Sequence, residues 1–252
     1  MKPTERFSTR VEAYRAHRPR YPREIVDVLQ RECGLAADWA IADVAAGTGL
    51  LAEVFLANGN PVIAVEPNVP MREACEELRE RFPQLHCVDG TAEATGLAEN
   101  SVDMITVGQA MHWFDLGATR NEFARVLRSG GWCAVVYNHR KMRGDAFHEG
   151  YERLLVEYGI DYHVVQSNHV AEDQMREFFA PAEMKCVTLP NVQEMSLEGL
   201  RGRVLSSSYM PQEGNPAYGA MMQAVDRLFA ENAQDGVVRM VYETAVCYGQ
   251  IE

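Results

Sequence analysis

The sequence predicts an α/β fold in which a mostly parallel sheet carries helices on both faces. Three observations support this. Over residues 40–138, short apolar runs alternate with segments whose apolar residues recur at helical spacing. The first run ends in an acid, Asp43, and passes through Val44-Ala45-Ala46-Gly47-Thr48-Gly49 into a helix; 23 positions after Asp43, the second run ends in another acid, Glu66. The chain has 252 residues and is 47% hydrophobic, enough for one large domain over residues 1–252 with a sizeable core.

Each element has its own signal. Pro22 suits the first turn of a helix whose apolar face is Ile25, Val28 and Leu29, and Gly34 ends it. Residues 40–44 read as a buried strand. Leu51, Val54 and Phe55 define the next helix, stopped by Asn58-Gly59. Residues 62–65 form the second strand, and Met71, Ala74, Cys75, Leu78 and Phe82 share one face of the helix before Pro83. Strands follow at 85–88 and 102–107, then a helix marked by Phe123, Val126 and Leu127. Ser129-Gly130-Gly131 turns the chain into a fifth strand at 132–137, each crossover being right-handed.

Beyond Asn138 the pattern changes. Phe147, Tyr151, Leu154, Leu155 and Tyr158 predict a helix, and residues 159–184 read as irregular, rich in aromatics and His. Residues 184–189 predict a strand, Leu197, Leu200 and Val204 a helix, and Tyr218, Met221, Met222, Val225 and Phe229 another. A β-rich run at 237–247 then closes the sheet edge as an antiparallel pair with the strand at 184–189.

Composition narrows the function. The net charge of −12 argues against a nucleic-acid partner, because phosphate binding needs clustered cations. Residues 1–24 depart from that balance, with seven Lys or Arg (Lys2, Arg6, Arg10, Arg15, Arg18, Arg20, Arg23) against three Glu. This segment either neutralises the acidic body or turns an Arg towards an anionic ligand group. No apolar stretch is long enough for a membrane span, and the start of the chain lacks the apolar core of a signal peptide. The six Cys are scattered without metal-ligand spacing, so reduced thiols in a cytoplasmic protein are expected, with no metal.

The strand–loop–helix–strand unit over 40–66 is suited to holding a nucleoside. Its glycines let the backbone approach the ligand, and the second carboxylate can accept from two ribose hydroxyls. Gly47, Gly49 and Ala52 satisfy G-x-G-x-x-G/A, the pattern of dinucleotide sites. Asp43 at the strand tip would repel a pyrophosphate, and a further nucleoside element follows in Val88-Asp89-Gly90-Thr91-Ala92-Glu93. A helix N-terminus at this loop can instead hold an amino-acid carboxylate.

Residues 43–49, Glu66, residues 89–93 and Gly108-Gln109-Ala110-Met111-His112-Trp113-Phe114 together resemble a class I S-adenosylmethionine (SAM)-dependent methyltransferase. More narrowly, the chain is similar to the small-molecule methyltransferases that include trans-aconitate methyltransferases. The opening Tyr14-x-x-x-Arg18-Pro19-x-Tyr21-Pro22 and the tail Ser206-Ser207-Ser208-Tyr209 also match patterns of that group. The resemblance implies a Rossmann-like sheet of seven strands, mostly parallel with an antiparallel last pair. It also implies an N-terminal arm over the cofactor at 1–24, and substrate-cap and C-terminal elements at about 139–184 and 196–231.

By the same resemblance, SAM is the cofactor and S-adenosylhomocysteine (SAH) its product. Asp43, Ala45, Gly47 and Gly49 would wrap the methionine part, and Glu66 with Pro67 would meet the ribose. Met71, Thr91 and Ala92 would border the adenine, with the Ala92 N–H reaching a ring nitrogen. Gln109 and Ala110 would line the sulfonium end, and Arg18, with Tyr14, would close over the SAM carboxylate. Ala45 stands where the family usually has Gly, which suits a negative φ, and Thr91 where Asp is common.

Several residues keep two readings. Met71 is either cofactor lid or core, and Thr91 either a binding residue or a helix cap. His112 is either a general base or, with Trp113, pocket wall. Tyr21, Asn138, Tyr209 and residues 158–179 are candidates for the substrate pocket or for packing and loop support. His139, His163 and His169 are weaker candidates. The favoured function is methyl transfer from SAM to a carboxylate, hydroxyl or amine of a small molecule, by a monomer or homodimer with no membrane or nucleic-acid partner. The alternatives are a non-catalytic SAM-binding or regulatory protein and an NAD(P)-dependent oxidoreductase.

Overall fold

A computed structural model of the chain describes residues 10–163 and 170–251, so Lys2, Arg6 and His169 lie outside the described residues. One sheet contains β1 (Ile41–Val44), β2 (Val62–Val65), β3 (Leu85–Val88), β4 (Val102–Gly108), β5 (Leu127–Arg140), β6 (Lys185–Met195) and β7 (Val238–Gln250). The strand order is β3-β2-β1-β4-β5-β7-β6. β1 to β5 pair in parallel, while β7 is antiparallel to both β5 and β6. All four residues of β1 are buried, as expected for a central strand covered on both faces. The order reverses between β1 and β4, and ligands of open α/β sheets sit beyond the carboxyl ends of strands at such a point.

The helices are α1 (Val11–His17), α2 (Glu24–Cys33), α3 (Ala52–Asn58), α4 (Val69–Glu76), α5 (Leu116–Val126), α6 (Ala146–Tyr158), α7 (Glu172–Phe179), α8 (Leu197–Leu205) and α9 (Tyr218–Asn232). The alternation of side chains along the strands divides the core. Ile41, Met104 and Val136 pack with Ile25 and Leu29 of α2 and Phe55 of α3; Ala42, Ile105 and Val135 pack with Phe123 of α5 and Phe178 of α7. A third cluster joins Tyr151, Leu155, Leu200, Val204, Met221 and Val225 of α6, α8 and α9 to Met240 and Tyr242 of β7. Side-chain caps fix several helix starts: Asn68 accepts from the Met71 N–H, Asp115 from Ala118, Asp145 from His148 and Ser196 from Gly199.

Four features differ from expectation. The stretch 159–184 contains α7, whose Met175, Phe178 and Phe179 are buried at helical spacing on a short segment. β5 begins at Leu127, directly after α5, so Ser129-Gly130-Gly131 lies within the strand, and Gly130 has a φ of 76°. β6 runs on to Met195 because β7 pairs with it along its full length. Cys186 and Cys247 lie directly opposite in that pairing, with Cα atoms 4.1 Å apart, and form a disulfide. The expectation of reduced thiols is corrected there: strand register places the two sulfurs side by side, which sequence spacing did not reveal. Cys33, Cys75, Cys87 and Cys133 are free. No described helix is long and apolar enough to cross a membrane.

Candidate functional site

The loop after β1 is held from behind. Asp43, only 1% exposed, accepts from Thr106 Oγ1 of β4 at 2.8 Å and from the Ala52 N–H at the start of α3 at 3.1 Å. Burial raises its pKa from 3.8 to about 7, against the pull of those two bonds. Asp43 therefore ties β1, β4 and α3 together beneath the loop and does not line the cavity described below. Gly49 does not line it either. Its φ is 81°, and a Cβ there would lie 2.7 Å from Leu78 Cδ1 and 2.8 Å from Cys75 Sγ, so its role is close packing. At Gly47, with a φ of 58°, a Cβ would meet nothing within 4 Å. Ala45 has a φ of 55°, contrary to the negative value that its side chain led us to expect.

Glu66 stands at the end of β2 with its side chain turned across this loop. Oε2 accepts from the Gly47 N–H and Oε1 from the Asn68 N–H, both at 2.8 Å. Burial raises its pKa above the ordinary value, and the two N–H donors oppose the shift. The carboxylate thus sets the positions of the glycine loop and the α4 entrance while still facing the cavity.

That cavity, of about 580 Å³, opens beyond the carboxyl ends of β1, β2, β4 and β5. It brings together Tyr14, Arg18, Tyr21, Ala45, Gly47, Glu66, Pro67, Met71, Thr91, Ala92, Gln109, Ala110, His112, Trp113, Asn138 and Tyr209 of the predicted residues, along with His139. Met71 and Ala92, each 3% exposed, offer a narrow apolar slot beside Glu66. The Ala92 N–H meets no acceptor among the described residues. Thr91 caps no helix; it closes a tight turn by exchanging backbone hydrogen bonds with Ala94, which corrects that reading.

Gln109 follows β4 with a φ of 59° and donates from Nε2 to the Asn138 carbonyl at 3.3 Å. A 3₁₀ turn over Met111–Trp113 then presents His112, whose Nδ1 lies 3.5 Å from Tyr137 Oη. Burial raises the Tyr137 pKa to about 12, so its hydroxyl stays protonated at neutral pH. The Asn138 amide is committed to support: its Oδ1 accepts from Thr244 Oγ1 at 2.5 Å and from Asn191 Nδ2 at 3.2 Å. His163 is exposed and does not line the cavity.

The basic N-terminal segment folds back over the opening. Arg10 donates to the carbonyls of Ser207 and Met210, and Arg18 to that of Ser206 at 3.0 Å. The Arg18 guanidinium also lies 4.9 Å from the centre of the Tyr14 ring. α1 rests on α8 at Gly202, where a Cβ would lie 2.1 Å from His17 Cδ2. Sequence reasoning did not single out Arg140, Arg203 and Tyr242, which line the cavity together with Tyr162 of the 158–179 candidates. For Arg203 a signal existed, since it lies three residues after Leu200 and hence on the buried face of α8.

Part of the sequence and the whole fold are similar to known proteins. Residues 42–135 match the methyltransferase domain family. An uncharacterized methyltransferase of Mycobacterium tuberculosis is 42% identical over 137 residues, 54% of this chain and 54% of that protein. An uncharacterized methyltransferase of Schizosaccharomyces pombe is 33% identical over 135 residues, 53% of each. The chain thus spans about half the length of these curated relatives. In fold, it superimposes on a provisionally assigned type II methyltransferase from Anaeromyxobacter dehalogenans with a TM-score of 0.66 at 22% identity, covering 93% of this chain and 98% of that one. Phosphoethanolamine N-methyltransferase 2 of Haemonchus contortus, solved with phosphomonomethylethanolamine and SAH, gives 0.57 at 15% identity over 98% of this chain and 58% of that one. Residues 42–135 thus match the methyltransferase domain family, and the seven-stranded sheet with its antiparallel last pair has the fold of the solved methyltransferases it superimposes on.

Proposed function

We propose that the protein transfers the methyl group of SAM to a small-molecule acceptor. The observation that carries this reading is Glu66, a buried carboxylate facing a cavity with an open glycine loop on one side and the Met71–Ala92 slot on the other. A ribose on Glu66 would place an adenine in that slot within reach of the Ala92 N–H. The methionine part would then run along Ala45 and Gly47 towards Gln109 and Ala110, with its carboxylate at Arg18. SAM supplies a methyl group on a positively charged sulfur, so the leaving group needs no activation. The acceptor's electron pair forms the new bond as the carbon–sulfur bond breaks, and SAH is released. The chain's contribution is alignment of the two reactants, with effective molarities on the order of 10⁵ M for well-oriented groups.

A neutral hydroxyl or amine acceptor also loses a proton. His112 Nε2 is the atom we assign to take it, with Tyr137 orienting the ring through Nδ1. A cytoplasmic setting belongs to the same proposal; the four free cysteines favour it and the Cys186–Cys247 disulfide weighs against it. Calorimetry tests the cofactor: SAH is expected to bind and NADH not to, and the reverse would favour the oxidoreductase alternative. An acceptor screen with labelled SAM then separates an enzyme from a non-catalytic SAM-binding protein, which would bind SAH and methylate nothing.

A further inference from the structure

We propose that Arg203 binds the anionic group of the methyl acceptor, and that the acceptor is an aromatic carboxylate. This rests on the methyltransferase reading above. Arg203 is 6% exposed and lines the cavity. Its Nη1 donates to Ser207 Oγ at 3.1 Å and its Nε to Tyr242 Oη at 3.4 Å, both hydroxyl oxygens. Among the described residues, no carboxylate lies within ion-pair distance of Arg203 or Arg18. The two guanidiniums flank Ser206 and Ser207, and Arg18 Nε is buried without a partner. Burial first, and then repulsion from Arg203, lower the Arg18 pKa.

A buried cation without a counter-ion is costly, and the chain carries a net charge of −12 from which a partner could have been drawn. Arg140, in the same wall, does have one, Glu152. The acids that line the cavity, Glu66 and Glu93, are engaged elsewhere, with the Gly47 and Asn68 N–H groups and with the Asp115 N–H. Among the described residues, then, neither Arg18 nor Arg203 has an anion beside it. Arg18, on the N-terminal arm beside Tyr14, is assigned to the carboxylate of SAM, and Arg203 to the acceptor.

Arg203 and His112 line the same cavity, and the Arg203 guanidinium meets Tyr242, which pairs with Arg140 at the end of β5. Trp113, Phe114, Tyr137, Tyr162 and Tyr209 give that cavity flat aromatic walls suited to an aromatic acid.

Calorimetry on the SAH-saturated protein, with 4-hydroxycinnamate and its primary amide as probes, tests this. The acid is expected to bind about 10- to 100-fold more tightly than the amide, the range for a hydrogen bond to a charged group. Arg203→Met should remove that preference and leave SAH affinity within about two-fold, with Arg203→Lys retaining part of it. The wild-type comparison stands even if a variant fails to fold. Equal binding of acid and amide, no acid binding at millimolar concentration, or loss of SAH affinity in folded Arg203→Met overturns the assignment while leaving the methyltransferase reading in place. Failure of SAH to bind the wild-type protein overturns both.

Discussion

Glu66→Ala is expected to weaken SAH binding and loosen the fold at the same time, for separable reasons. The wild-type carboxylate accepts one backbone N–H on each oxygen, from Gly47 and from Asn68. Removing it leaves two N–H donors in a largely buried place. Each orphaned donor costs about 1–3 kcal/mol, reduced where water from the cavity enters. We take about 2 kcal/mol for the pair. At about 2–4 °C per kcal/mol for a chain near this size, Tm should fall by about 4–8 °C. SAH loses its ribose acceptor as well, a further loss of about 1–3 kcal/mol, or roughly 5- to 150-fold in Kd. Calorimetry and thermal melts of the same preparations read both effects. pH gives an independent check, because burial raises the Glu66 pKa: SAH affinity of the wild type should fall as pH drops through that raised value, when ribose hydroxyls meet a protonated acceptor. A variant with normal SAH affinity and a lowered Tm would show that Glu66 holds the loop and does not touch the ligand. A variant unchanged in both would refute the whole arrangement.

Three further outcomes are expected. Ala45→Gly should raise Tm by about 2–4 °C, because a left-handed φ of 55° costs a non-glycine residue about 1–2 kcal/mol, partly offset by the greater freedom of unfolded Gly; a fall in Tm would contradict the strain. The Asp43 carboxyl, with a folded pKa of about 7 against 3.8, holds its proton across that window in the folded form, so its contribution to stability is full below about pH 4 and is lost as pH rises through 7. Asp43→Asn should therefore gain stability relative to wild type between pH 5 and pH 8, by a few kcal/mol on the order of 3; urea midpoints that keep a constant gap over that range would contradict the assignment. His112→Gln should lower kcat about 10²–10⁴-fold on a hydroxyl or amine acceptor with SAH affinity unchanged, whereas wild-type kinetics would leave His112 as pocket wall.

The parallel half of the sheet was legible because each strand is a short apolar run closed by a turn residue or an acid, as at 41–44 and 62–65. The antiparallel edge was legible as a topology but not in its length, since β6 is exposed at alternate positions and owes residues such as Val192 to pairing with β7. α7 was missed because eight residues give too little periodicity, and its buried Met175, Phe178 and Phe179 were read as part of an aromatic loop. Most of the expected site residues line one cavity because loop chemistry and strand ends are local properties. Asp43 and Gly49 sit behind it for reasons that depend on Thr106, Cys75 and Leu78, distant in sequence. Arg203 belongs to a helix predicted only for its apolar stripe, and its role comes from what surrounds it in three dimensions.

A crystal structure of the protein with SAH tests the central claim most directly. The account predicts Glu66 within hydrogen-bonding distance of both ribose hydroxyls, the adenine between Met71 and Ala92 with the Ala92 N–H on a ring nitrogen, the SAH carboxylate on Arg18, and the sulfur facing the part of the cavity that holds His112 and Arg203. SAH seated with its ribose away from Glu66, or its carboxylate on Arg203 in place of Arg18, would contradict it.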